Sequence, residues 1–250
     1  VNDGQRVGDH VDTDLVVRFL TRRQPGQQAG RAAQLVSLVR EFDADVDMHL
    51  DLGDTPERMD VEYVCEMTKR HRYGGRVAIG HVTKLSLAPP DTYERIAKRL
   101  ADAGVAVTVL PSTDLYLMGR GQRHNVVRGV LAAHDLLHRG VNCSLSTNNL
   151  LNPFTPFGDC SLLRMANLYA NVCHVGTRED MRECLGMITA RSARLLRLDD
   201  YGIETGKSAD LVVLDCASAE AAVAELALPL YGFKRGRMTF SRQPAQLYPP

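Results

Sequence analysis

The chain has no excess of charge of either sign: 30 Lys and Arg stand against 30 Asp and Glu in 250 residues. A balanced surface gives no electrostatic reason to expect nucleic acid or an anionic membrane as partner. No apolar run approaches the roughly 20 residues that a helix needs to cross a bilayer, and no signal peptide opens the chain. A cytoplasmic protein is therefore expected. Cysteine pairs are missing as well. Cys65, Cys143, Cys160, Cys173, Cys184 and Cys216 stand far apart with no C-x-x-C among them. Reduced thiols, mostly buried as small apolar residues, are expected. Tryptophan, low-complexity tracts and evident repeats are absent, and the first residue is Val1 rather than Met.

What is present is enough apolar material, 44% of residues, for one large domain or a barrel with a small appendage. Residues 1–30 are polar apart from the patch "DLVVRFL". From residue 31 the periodicity alternates between helix and strand. "RAAQLVSLVREF" predicts a helix and "DADVDMHLD" a strand. "DVEYVCEMTKRHR" predicts an amphipathic helix closed by Gly74-Gly75, leading into the strand "RVAIGHV". "PDTYERIAKRLADAG" and "VVRGVLAAHDLLHRG" predict two more helices, each followed by a short apolar strand, "VAVTVLP" and "VNCSLST". Longer helical stretches are expected over 159–173 and 178–197, then strands in "ADLVVLD" and "LYGFKRGRMTFS", the latter a hairpin turning at Gly236. Helices alternating with short strands indicate α/β architecture, a parallel sheet covered by helices. Four βα units are clear, and the opening patch offers a fifth. A complete eight-stranded barrel needs eight strands, so either the sheet is open or the barrel's first strands lie outside this chain.

In parallel α/β folds, functional groups gather where strands end. The first clear strand ends in His49 and Asp51, the second in His81 and Thr83, the third in "LPSTDLYLMGR", the fourth in Thr147, Asn148 and Asn149. Adjacent strands lie about 4.8 Å apart, so His49 and His81 can sit side by side. Such a pair can share a metal, or one can ligate while the other handles protons. A histidine at a strand end also serves as an ordinary hydrogen-bonded residue, and Asp51 and Asp54 can cap the following helix.

These residues carry a family resemblance. "DVDMHLDLGDTPE", "RVAIGHVTKLS", "DLYLMGRGQ", "GVNCSLSTNNLLNPFTPFGDCSLL" and "ITARSARLLRLDDYGIETGKSADLVVLD" resemble, in order and spacing, the cytosine-deaminase-like branch of the amidohydrolase superfamily, over about residues 31–240. The resemblance implies a (β/α)₈ TIM barrel represented from about its fourth or fifth strand onward, over residues 1–200. A small β-sandwich appendage would follow over 201–250. It implies hydrolysis of a C–N bond in a cyclic amidine or amide, such as a nucleobase-like ring, by water activated on zinc or iron.

Residue by residue, the resemblance gives His49 as a metal ligand and His81 as the catalytic histidine. Asp51, Thr83, Asn149 and Phe154 become candidate contacts to the ring, with packing or capping the alternative for Asn149 and Phe154. Three expected features are missing. Leu52 stands where the family has a proton-carrying Glu, and Asn148, a weak neutral ligand, where it has a metal-binding Asp. No H-x-H occurs in the chain. Three readings follow: an amidohydrolase with a degraded site, an inactive binding or assembly protein on the same fold, and an isomerase or lyase using His81 as base. Exposed sheet edges lead to one further expectation, a homo-oligomer or a partner chain that completes the barrel.

Overall fold

The computed structural model describes residues 17–20 (backbone only), 39, 41–246 and 248. The expected helix over "RAAQLVSLVREF" therefore lies almost wholly outside the described residues. Five parallel strands, β1 (Val17–Leu20), β2 (Val46–Leu50), β3 (Val77–His81), β4 (Val105–Val109) and β5 (Cys143–Leu145), form one sheet in sequence order. The opening patch thus supplies a fifth strand. Among the described residues β1 and β5 each pair with one neighbour, so the sheet is an open arc.

Helices cover one face of it. In α1 (Val61–His71) the buried residues Val61, Val64, Cys65 and Thr68 recur at helical spacing, and the helix ends where Arg72 turns left-handed. In α2 (Pro90–Ala103) a proline opens the first turn and Ile96, Ala97, Leu100 and Ala103 face the sheet. Gly104 closes it at φ 64°, and a Cβ there would lie 3.1 Å from Gly74 Cα, so glycine is required twice over. The core joins Ile79 and Val107 of the sheet to Leu100, Leu136, Tyr169 and Met187 of the helices.

Three predicted elements come out differently. Residues following β4 coil into α3 (Pro111–Leu117). The helix predicted over "VVRGVLAAHDLLHRG" is only α4 (Ala133–His138). Gly129 keeps the first part of that stretch out of the helix: at φ 62° its Cα hydrogens face Met118, whose Cγ would lie 2.5 Å from a Cβ. The stretch 178–197 divides into α6 (Arg178–Met187) and α7 (Ala190–Leu195) at Thr189, whose hydroxyl donates to Leu185 O instead of letting the helix run on. The preceding helix, α5, spans Leu162–Val172.

The C-terminal region is a single antiparallel sheet of β6 (Leu211–Leu214), β7 (Pro229–Lys234) and β8 (Arg237–Ser241), with the predicted turn at Arg235-Gly236. Among the described residues no second sheet faces it, and the C-terminal appendage is this one three-stranded sheet. Helix α8 (Ala219–Ala224) buries Ala222 and Val223 in the same core as the five-stranded sheet. No helix among the described residues is long and apolar enough to cross a membrane.

Candidate active site at the carboxyl ends of the strands

Strand alternation gives the sheet two unlike faces. The face away from the helices carries Asp47, His49, Ala78, Gly80, Ala106 and Thr108, mostly small or polar, and lines a groove of about 630 Å³. At the opposite end from the histidines, Arg76 closes the sheet by reaching Asp45 at 2.6 Å and Asp43 at 2.5 Å, and Arg197 reaches Asp45 at 3.0 Å.

His49 and Gly80 are in register, as are Leu50 and His81. Simple alternation would turn His81 to the helix side with Leu50. Instead His81 and Val82 leave the strand at φ 73° and 49°, and this left-handed exit re-aims the ring. His49 Nδ1 lies 3.0 Å from His81 Nε2, and the rings meet edge to face. Asn148, itself at φ 58° beyond β5, brings its amide nitrogen to 3.4 Å from the same Nε2. On the far side of the His81 ring, Nδ1 lies 2.5 Å from Asp114 Oδ1, a carboxylate with no exposed surface. Asp114 Oδ2 accepts the Leu110 N–H at 3.2 Å. Burial pushes the Asp114 pKa up, and the contact with His81 pulls against it.

The structure thus brings together His49, His81 and Asn148. It also adds Asp114, which sequence reasoning passed over; the signal was an acid within the apolar run that follows β4. Two expected ring contacts, Asp51 and Thr83, are engaged within the fold. Both oxygens of Asp51 are taken by the N–H groups of Asp60 and Val61 at 2.8 and 3.0 Å, so it caps α1, and burial raises its pKa to about 6. Thr83 is wholly buried: its hydroxyl accepts from Gly53 N at 2.9 Å and lies 3.1 Å from Gly53 O, tying down the loop after β2. Lys84 adds to that clamp, donating to Glu57 O at 2.7 Å. Asn149 holds the adjoining turn by accepting from Asn152 at 2.9 Å, and Phe154 stands 57% exposed at its tip. That turn is anchored through Thr155, whose hydroxyl is 2.6 Å from Thr113 Oγ1. Leu52 is 42% exposed.

A sequence model of the Amidohydrolase family matches residues 11–240. The chain belongs to the amidohydrolase family. Among curated proteins it is 29% identical over 204 residues to an N-isopropylammelide isopropyl amidohydrolase of Pseudomonas sp. (strain ADP), covering 80% of this chain and 47% of that protein. It is 27% identical over 186 residues to a pterin deaminase of Rhizobium rhizogenes, covering 72% of this chain and 42% of that protein. Among solved structures it overlays a 5-methylcytosine deaminase of Klebsiella pneumoniae with a TM-score of 0.88 at 24% identity, over 94% of this chain and 58% of that one. The chain therefore spans about half the length of the curated relatives it matches. The family model carries the family assignment, and the overlay on the 5-methylcytosine deaminase carries the fold.

Amidohydrolases are generally metal-dependent. Zinc at a catalytic site takes three protein ligands and a water. Among the described residues, no three His, Cys, Asp or Glu side chains converge for that purpose. The imidazole of His49 and the neutral amide of Asn148 are what this rim offers, and those two donors do not fit a retained zinc or iron ion.

Proposed function

We propose that this amidohydrolase carries part of a site for hydrolysing a C–N bond in a nucleobase-like ring, a cyclic amidine or amide, and that the site is degraded. The observation that supports the reading is the His49–His81 contact of 3.0 Å at the rim of a groove roomy enough for such a ring. In this reaction, water adds to the ring carbon, the C–N bond breaks, and an amine or ammonia leaves as the carbon becomes a carbonyl. His81 Nε2 accepts the proton of the attacking water. Phe154 and Asn149 cover and contact the ring from the turn beyond β5. Leu52 has no proton to carry and Asn148 no charge. Each missing acid costs about 10²–10⁴-fold, so turnover is slow even when a metal is supplied.

Ammonia release from cytosine, 5-methylcytosine and pterin tests this, with and without added zinc or iron. Slow release that disappears in His81→Ala supports it; release unaffected by that change sinks it. Leu52 and Asn148 favour a second reading, in which the groove binds a ring without turnover. Calorimetry that shows binding of the same rings with no ammonia over long incubation would select it.

The same proposal includes completion of the arc. Strands on the open edges of β1 and β5 come from further copies of the chain or from a partner chain. Light scattering after size exclusion is expected to give a mass above that of one 250-residue chain. A folded monomer of that mass refutes it. A cytoplasmic location belongs to this proposal.

A further inference from the structure

We propose that Asp114 is a positioning residue that fixes the proton of His81 on Nδ1, leaving Nε2 as a bare acceptor toward His49 and Asn148. The inference deepens the reading of His81 as proton acceptor, yet the proton position it asserts is measurable without turnover.

The argument is a proton count around one ring. Asp114 has no exposed surface, and its two oxygens face two nitrogen groups, the Leu110 N–H at 3.2 Å and His81 Nδ1 at 2.5 Å. A carboxylate buried this way is sustained by donors, and an ionised one has no proton to give. Burial favours the neutral acid, but the contact with His81 and the Leu110 N–H favour the ionised form, and with that form the proton between Asp114 and His81 belongs to Nδ1. A neutral imidazole with Nδ1–H has a lone pair on Nε2. The groups facing Nε2 fit that assignment. His49 Nδ1 lies 3.0 Å away and the Asn148 amide nitrogen 3.4 Å away, and each can donate N–H to a lone pair.

The opposite tautomer fails twice. A proton on His81 Nε2 would oppose the N–H of Asn148, and a bare Nδ1 would oppose the Asp114 carboxylate. One arrangement closes every contact, and Asp114 selects it from the side of the ring away from the groove. Its place is fixed by the fold. Pro111 starts α3, and Asp114 accepts from Leu110 N, the residue that joins β4 to that helix. A rotation of the acid away from His81 would break this local bond too.

The test uses the whole chain with ¹⁵N-labelled histidine, read by long-range ¹H–¹⁵N correlation near neutral pH, with signals assigned through His49→Gln and His81→Gln. The expected spectrum shows His81 with a protonated Nδ1 and a bare Nε2. In Asp114→Asn the amide cannot accept from both Leu110 N–H and His81 Nδ1–H, so the single tautomer gives way to a mixture or to its inverse. Two results overturn the proposal: a wild-type His81 protonated at Nε2, or an Asp114→Asn spectrum with the wild-type pattern. If that variant does not fold, the wild-type spectrum decides by itself. A correct tautomer in a protein that releases no ammonia leaves Asp114 in its role and removes the proposed hydrolysis instead.

Discussion

Replacing Asp51 by alanine separates the two roles this residue could play, and the structure gives the size of the effect. Its oxygens hold the N–H groups of Asp60 and Val61, and Val61 has no exposed surface. Orphaning a buried N–H costs about 1–3 kcal/mol, and the half-buried Asp60 N–H costs less, so the gross loss is about 2–4 kcal/mol. Against this stands the cost of burying the carboxylate, which raises its pKa from 3.8 to about 6. The folded chain keeps this proton to a higher pH than the unfolded chain. The carboxyl's contribution to stability is therefore full below the unfolded pKa and declines as pH rises through the folded one. Roughly two pKa units amount to about 3 kcal/mol, of which about 2–2.5 kcal/mol develops between about pH 4 and about pH 7.5. Asp51→Ala should thus cost about 2–4 kcal/mol in urea unfolding near pH 4 and about 0–2 kcal/mol near pH 7.5. A cost that grows with pH, or no cost at either pH, would refute a buried cap. Loss of ring binding with stability intact would return Asp51 to the ligand.

Other consequences can be checked on the same preparation. Gly129→Ala forces a Cβ to within 2.5 Å of Met118 Cγ at a left-handed φ, and should lower unfolding free energy by about 2–4 kcal/mol in denaturant melts. Arg76 holds Asp43 well below the usual carboxylate range, so that pair stabilises above the unfolded Asp pKa and fades as pH falls through the folded one. Acid unfolding of Arg76→Ala compared with wild type should show a difference that shrinks on the acid side. Among the six cysteines, Cys160 is exposed while burial pushes Cys65 to about 11 and Cys173 and Cys184 to about 12. Mass spectrometry after brief alkylation of native protein should find Cys160 modified ahead of those three.

The sheet was legible because β3, β4 and β5 are short apolar runs, each following a helix and a glycine. His49 and His81 were legible for the same reason: chemistry at strand ends shows in sequence once the strands do. Polar neighbours at those ends were ambiguous. Asp51 and Thr83 have the residue types of ring contacts and of caps alike, and partners nine and thirty residues away decide between the two. Asp114 was not legible, because nothing in the spacing links an acid inside a seven-residue helix to a ring 33 positions earlier. The helix over "VVRGVLAAHDLLHRG" read too long because helical periodicity does not register that Gly129 must make room for Met118.

The two ends of the sheet differ in a way that bears on function. At one end Arg76 and Arg197 tie Asp43 and Asp45 together, so these carboxylates lining that end of the groove are paired with guanidinium groups. At the other end β2, β3 and β5 are followed by non-glycine residues in left-handed conformation, Asp51, His81 and Asn148. Such conformations cost about 1–3 kcal/mol each and persist where the surroundings over-determine them. Asp51 is held by the start of α1, and His81 by Asp114 and His49. Beside Asn148, the carbonyl of Thr147 accepts from Thr113 at 3.0 Å. A sheet that needed its strand ends only for packing could leave them by relaxed turns. Here the redirection at His81 is what brings an imidazole from the helix side of the sheet to within hydrogen-bond reach of His49. The strain at this rim therefore has a geometric product, two imidazoles within hydrogen-bond reach of each other beside a groove that His49 and Asn148 line.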